Sequence, residues 1–246
     1  GTAEIIDGNI ELLQNNGFFK IGATGTVIWN PADNTTAGAT IFTKGKEEFH
    51  PTSTLIINKW YNYNSVPLGS VVSGDFGNLS VTTLSNGLLF EWDQNNQFET
   101  HQILGTFTID QGWIVLDKSG TISNTFINEI NLKNINSYLD LHNGTHPGSF
   151  KVTTNSLTNI GGTMNGIYNG DGDIELVVNG DVLNLGNIEL IYNSGMQGIS
   201  NGDAKVRVSG RYKQTHGDFR GIFNLSSNVA GIVDMEFGSL ELTGGI

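Results

Sequence analysis

Gly166-Ile167-Tyr168-Asn169 returns as Leu190-Ile191-Tyr192-Asn193 and again as Gly221-Ile222-Phe223-Asn224. The aromatic residues lie 192 − 168 = 24 and 223 − 192 = 31 residues apart. A second set, Leu157, Val182 and Tyr212, precedes the motif in each copy, following a strand and turn and leading into a Gly-rich corner. Two aligned features per copy define a repeat of roughly 24 to 31 residues. A unit that short cannot enclose a core of its own and is stable only when stacked on its neighbours. In such a stack equivalent residues superpose about 4.8 Å apart. The repeat therefore predicts an aromatic ladder of Tyr168, Tyr192 and Phe223 and an amide ladder of Asn169, Asn193 and Asn224. Ladders of this kind speak for a fold and do not by themselves mark a site.

The surrounding sequence agrees. Apolar and polar residues alternate over Glu4 to Leu12, Lys20 to Trp29, Asn78 to Thr83, Gly105 to Asp110, Asp173 to Val178 and Ala204 to Val208. Period two means strands. Asn169-Gly170, Asn179-Gly180, Asn201-Gly202 and Ser209-Gly210 punctuate them as turns. Thirty-three glycines and four prolines among 246 residues fit many short strands joined by tight corners, with helix nearly absent. The expectation is an all-β, right-handed parallel β-helix forming one body over residues 1–246, with regular coils over 71–246. Residues 30–68, with the charged Lys44-Gly45-Lys46-Glu47-Glu48 run, break the pattern and read as strands with protruding loops. Phe76-Gly77-Asn78-Leu79-Ser80-Val81-Thr82 is echoed 237 − 76 = 161 residues later by Phe237-Gly238-Ser239-Leu240-Glu241-Leu242-Thr243, which hints at a larger repeat.

Twelve basic against 24 acidic residues give a formal charge of −12, which repels phosphate backbones and anionic lipid. Nucleic acid and membrane insertion are not expected partners. No cysteine is present, so disulfides and thiolate metal sites are excluded. The start at Gly1-Thr2-Ala3-Glu4 and the end at Gly244-Gly245-Ile246, inside a strand pattern, suggest a segment of something longer.

Four stretches, Phe76 to Val81, Leu104-Gly105-Thr106-Phe107-Thr108-Ile109, Val178-Asn179-Gly180-Asp181-Val182 and Phe237 to Leu240, look like the Asn-Leu-x-Val and Gly-x-Phe-x-Ile strand pairs of large surface proteins from gliding, type IX-secreting bacteria. The chain resembles the repeat regions of that family over residues 71 to 243, and more weakly over 1 to 29. The resemblance implies a secreted or cell-surface β-solenoid used for adhesion, spacing or appendage building, self-associating or meeting a surface or glycan partner. Fold analogy alone does not assign an activity.

Chemical signals are sparse. A polysaccharide-cleaving β-helix enzyme, which uses paired carboxylates, is the rival to a non-enzymatic segment. Arg211-Tyr212-Lys213 with His216 superficially matches basic elements of pectin-degrading hydrolases, but the acidic signatures of those enzymes are missing. Asn169, Asp171 and Asp173 have the alternate spacing that calcium favours, yet they sit in Asn169-Gly170-Asp171-Gly172-Asp173, an ordinary solvated turn. His142 and His146 are separated by Gly144 and followed by Pro147, which denies them a shared helical face. The reading is no metal and no cofactor. Trp60, Tyr61 and Tyr63, interleaved with Asn58, Asn62 and Asn64, are the candidate partner- or carbohydrate-binding residues. In a strand Tyr61 and Tyr63 would share one face and Trp60 the other, so core, interface and glycan roles all stay open.

Overall fold

The computed structural model describes residues 1–6, 10–11, 18–30, 42–44, 46–60, 75–83, 89–91, 102–117, 124–143, 148–193, 202–224 and 231–244. Their regular structure is entirely β, in twenty strands numbered β1 to β20 along the chain. They stack as a parallel β-solenoid. One face runs β1 (Thr2–Ile6), β4 (Thr26–Asn30), β7 (Thr54–Trp60), β8 (Asn78–Thr83), β10 (Ile103–Asp117), β11 (Asn124–Leu132) and β13 (Ser149–Asn159). It continues through β15 (Asp173–Val178) and β16 (Val182–Asn184), which share one coil, to β18 (Ala204–Gln214) and β20 (Val233–Leu242). A second face is built from β9 (Leu89–Glu91), the end of β10, β12 (Ser137–Asn143), β14 (Thr163–Tyr168), β17 (Asn187–Asn193) and β19 (Phe219–Asn224). Two short parallel pairs, β2 (Ile10–Glu11) with β5 (Phe42–Lys44) and β3 (Phe18–Ile21) with β6 (Lys46–Phe49), lie beside the first coils.

The core follows columns that run along the stack. Leu79, Phe107, Ile130, Leu157, Val182, Tyr212 and Leu240 are successive register partners, and all but Leu240 are buried. This column contains the second repeated set read from the sequence. It also accounts for the 161-residue echo, because Leu79 and Leu240 occupy the same position in different coils. The glycines of that echo mark positions where the preceding coil presses on the backbone. A Cβ on Gly77 would stand 2.4 Å from the Ser53 carbonyl oxygen, and one on Gly238 would stand 2.2 Å from that of Ser209.

The strand character expected within residues 30–68 is present, and part of it belongs to the stack itself. Thr54–Trp60 pairs in parallel with β4 on one side and β8 on the other, with Leu55 and Ile57 fully buried. Residues 31–41 and 61–68 lie outside the described residues.

Two polar devices run between coils. Inside the core, Asn159 Nδ2 donates to Asn184 Oδ1 (3.0 Å) and Asn184 Nδ2 donates to the Tyr212 hydroxyl (3.2 Å). Tyr212 in turn donates to Gln214 Oε1 (3.0 Å), so polar groups buried at this corner satisfy one another. On the outer surface of the first face, charge alternates from coil to coil. Lys151 meets Glu175 (3.0 Å), Glu175 meets Arg207 (2.7 Å) and Arg207 meets Glu236 (3.4 Å).

Candidate functional site

The Tyr168, Tyr192 and Phe223 rings form the expected ladder, with centroid separations of 4.8 and 5.2 Å and interplanar angles of 7° and 9°. The same register that stacks them, Tyr168 to Tyr192 to Phe223, sets a polar column beside them on the outer side of the second face. That column reads Val115, Asp140, Asn165, Glu189, Arg220 from β10 through β19. Trp113, Tyr138 and Thr163, partners in successive coils, form the opposite wall. Between the walls is an open groove of about 430 Å³ along the stack, with Asn165 and Glu189 on its floor. Alternation explains the placement: Leu139, Met164 and Ile188 point into the core, so the residues following them in sequence point outward.

Asp140 is the anchor of this arrangement. It is fully buried, and it collects donors from three coils: Trp113 Nε1 (2.7 Å) and Asn143 Nδ2 (3.1 Å) on Oδ2, and Asn165 Nδ2 (2.7 Å) on Oδ1. Burial lifts its carboxyl to about 7, against the opposing pull of these hydrogen bonds. Asn165 is thereby fixed with its amide nitrogen toward Asp140, while its Oδ1 is buried without a partner. Burial also raises the Glu189 carboxyl, opposed by Arg220, whose Nη1 lies 3.6 Å away. The Arg220 guanidinium is held by Asp218 and lies over the Phe223 ring, 4.7 Å from its centroid. At the other end of the ladder Trp113 meets Tyr168 edge to face, with centroids 5.1 Å apart.

A second buried polar pair lies in the column that carries Ile167 and Ile191 in later coils. His142 Nδ1 and Asp117 Oδ2 are 2.8 Å apart, both residues are inaccessible, and His142 Nε2 has no partner.

The residues singled out in the sequence are dispersed. Trp60 closes β7, its backbone partnered with Thr83, and its side chain lies outside the described residues, as do Tyr61 and Tyr63. Asp173 opens β15 and its Oδ1 accepts the Asp203 backbone N–H (2.8 Å), whereas Asp171 Oδ1 has no partner. Among the described residues no group of three or more His, Asp or Glu side chains is placed to hold a metal ion. Arg211 and Lys213 point outward to Glu241, Tyr212 between them is buried in the core, and His216 contacts Thr215. They form no common site. His146 lies outside the described residues.

No family model, curated protein or solved structure matches this chain. The groove therefore stands on its geometry alone. Sequence reading found its aromatic wall and missed its floor. The signal was adjacent: Asn165, Glu189 and Arg220 immediately precede the three repeated tetrapeptides.

Proposed function

We propose that this chain is a non-enzymatic structural and adhesive segment of an extracellular surface protein, a stiff stack of coils whose recognition surface is the groove on its second face. The observation that carries this reading is an aromatic-walled groove whose floor holds a buried, unpartnered acceptor, Asn165 Oδ1. A concave, mostly apolar site with a few convergent polar groups is the usual form of a ligand pocket.

The carboxyl groups at and beneath the floor favour binding over bond cleavage. Asp140 and Glu189 sit two coils apart, on the order of 10 Å between backbones, but Asp140 is enclosed by its three donors and reaches no solvent. A general acid has to touch the leaving group, and Glu189 is paired with Arg220. Secretion or surface display follows from the family resemblance and belongs to the same proposal.

The test is thermal-shift titration of the chain with a panel of extended peptides and soluble oligosaccharides, wild type beside Thr163→Arg, which fills the groove with a long side chain. A ligand that raises the wild-type transition and leaves the variant unmoved supports the reading. Light scattering and electron microscopy of the same sample report whether the rods associate. A monomer that no panel member stabilises would overturn the adhesive role.

A further inference from the structure

Resting on the reading of the groove as the recognition surface, we propose that its ligand is an uncharged, hydroxyl-rich saccharide chain laid along the solenoid axis, with one sugar hydroxyl donating to Asn165 Oδ1.

The floor requires a donor. Asn165 is 4% exposed, its nitrogen is committed to Asp140, and its oxygen has no protein partner. A buried acceptor left unpaired is costly. A sugar hydroxyl that reaches this oxygen supplies the missing donor.

The walls select against cations. In the Tyr168–Tyr192–Phe223 ladder the ring faces are turned toward one another. Arg220 lies over Phe223 at one end of the ladder, and Trp113 packs on Tyr168 at the other. On the ladder wall the groove is therefore lined by ring edges, the electropositive part of an aromatic quadrupole. Edges suit oxygen lone pairs, whereas an ammonium group needs an open face. Anions are disfavoured too. The Glu189 carboxyl stands on the floor with Asp140 buried beneath it, and among the described residues the cation beside them, Arg220, is already shared between Glu189 and Asp218. What remains is a neutral polyol.

Length agrees with a chain rather than a single sugar. The polar part of the column, Asp140 to Arg220, spans three coil-to-coil steps, about 14 Å at the spacing of stacked strands. An extended glycan presents hydroxyls at intervals along such a path.

The experiment is a titration followed by the indole N–H resonance of Trp113, assigned with Trp113→Phe. The probes are neutral cello-, xylo-, manno- and malto-oligosaccharides beside oligogalacturonate and spermidine as charged controls. The expected result is a saturable shift with at least one neutral series, little with either control, and about tenfold or greater weakening in Asn165→Leu, which keeps size and removes the acceptor. Glu189→Gln is expected to retain the neutral ligand. If Asn165→Leu does not fold, the wild-type indole shift still decides. Binding of charged probes alone, or of extended peptides and no sugar, would overturn the saccharide assignment and leave the groove as a recognition surface. Neutral sugars that bind without moving Trp113 and without dependence on Asn165 would overturn both. No shift with any neutral series would also overturn the saccharide assignment.

Discussion

Asp140 makes the stability of this solenoid depend on pH in the direction opposite to that of an ordinary salt-bridged carboxylate. Its folded-state value of about 7 lies above the ordinary aspartate value of 3.8. Because the folded state holds the proton more tightly, the stabilisation is complete below the unfolded-state value. It is lost progressively as pH rises and is gone above about 7. The difference of about 3 units corresponds to roughly 4 kcal/mol over the whole window, and to about 3 kcal/mol between about pH 5 and about pH 8. Other carboxyl groups contribute as well: Glu189 moves in the same direction, while Glu175 and Glu241, held down by lysine hydrogen bonds, move in the other. The assay therefore compares wild type with Asp140→Asn, which does not titrate, by urea unfolding at matched pH values. The difference between the two should fall by about 3 kcal/mol from about pH 5 to about pH 8. A difference that stays flat, or that rises with pH, would refute the argument that burial dominates over the three hydrogen bonds. The indole N–H of Trp113 supplies a second readout, since its acceptor changes charge through the same window.

Three further outcomes are expected. Tyr192→Ala removes two stacked ring pairs and should cost about 1–3 kcal/mol in urea unfolding, whereas Tyr192→Phe should cost much less. Asn184→Leu strips partners from Asn159, Tyr212 and the Gly186 N–H inside the core; a loss of about 1–3 kcal/mol is expected, with the Tyr212 hydroxyl losing its donor. Gly77→Ala drives a methyl group against the Ser53 and His50 carbonyl oxygens at 2.4 and 2.5 Å. The coil corner has to open, and the transition midpoint should drop by an amount equivalent to about 2–3 kcal/mol.

The solenoid was legible because its period is written twice, once in Tyr168, Tyr192 and Phe223 and once in Leu157, Val182 and Tyr212, and both sets fall in register. The groove was only half legible. Asp140, Asn165 and Glu189 each follow a core apolar residue in a strand, a pattern that ordinarily means a solvated outer surface. Their burial comes from walls supplied by other coils, and short-range alternation carries no information about those. The amide ladder expected at Asn169, Asn193 and Asn224 illustrates the same limit. The backbones of Asn193 and Asn224 are register partners, and the side chains of these two lie outside the described residues. The buried amide ladder that is described runs through Asn159 and Asn184, each two residues ahead of a corner glycine. Only the backbone of Trp60, at the end of β7, is placed among the described residues, so the candidate role of Trp60, Tyr61 and Tyr63 rests on sequence.

The signs alternate along the register column Lys151, Glu175, Lys205 and Asp234, with Arg207 reaching diagonally to Glu175 and across to Glu236, and this alternation favours one neighbour over another. Repeated coils with similar apolar patterns can in principle nucleate on a next-but-one neighbour, the misassembly to which repeat proteins are prone. Such a skip would set Glu175 against Asp234, or Lys151 against Lys205, and like charges brought opposite one another oppose pairing. Hydrophobic burial scarcely distinguishes the correct neighbour from the wrong one, whereas the sign of the outer row does so over these four coils. The surface ion pairs of this face, each worth little to the finished stack, thus bias pairing toward the native neighbour.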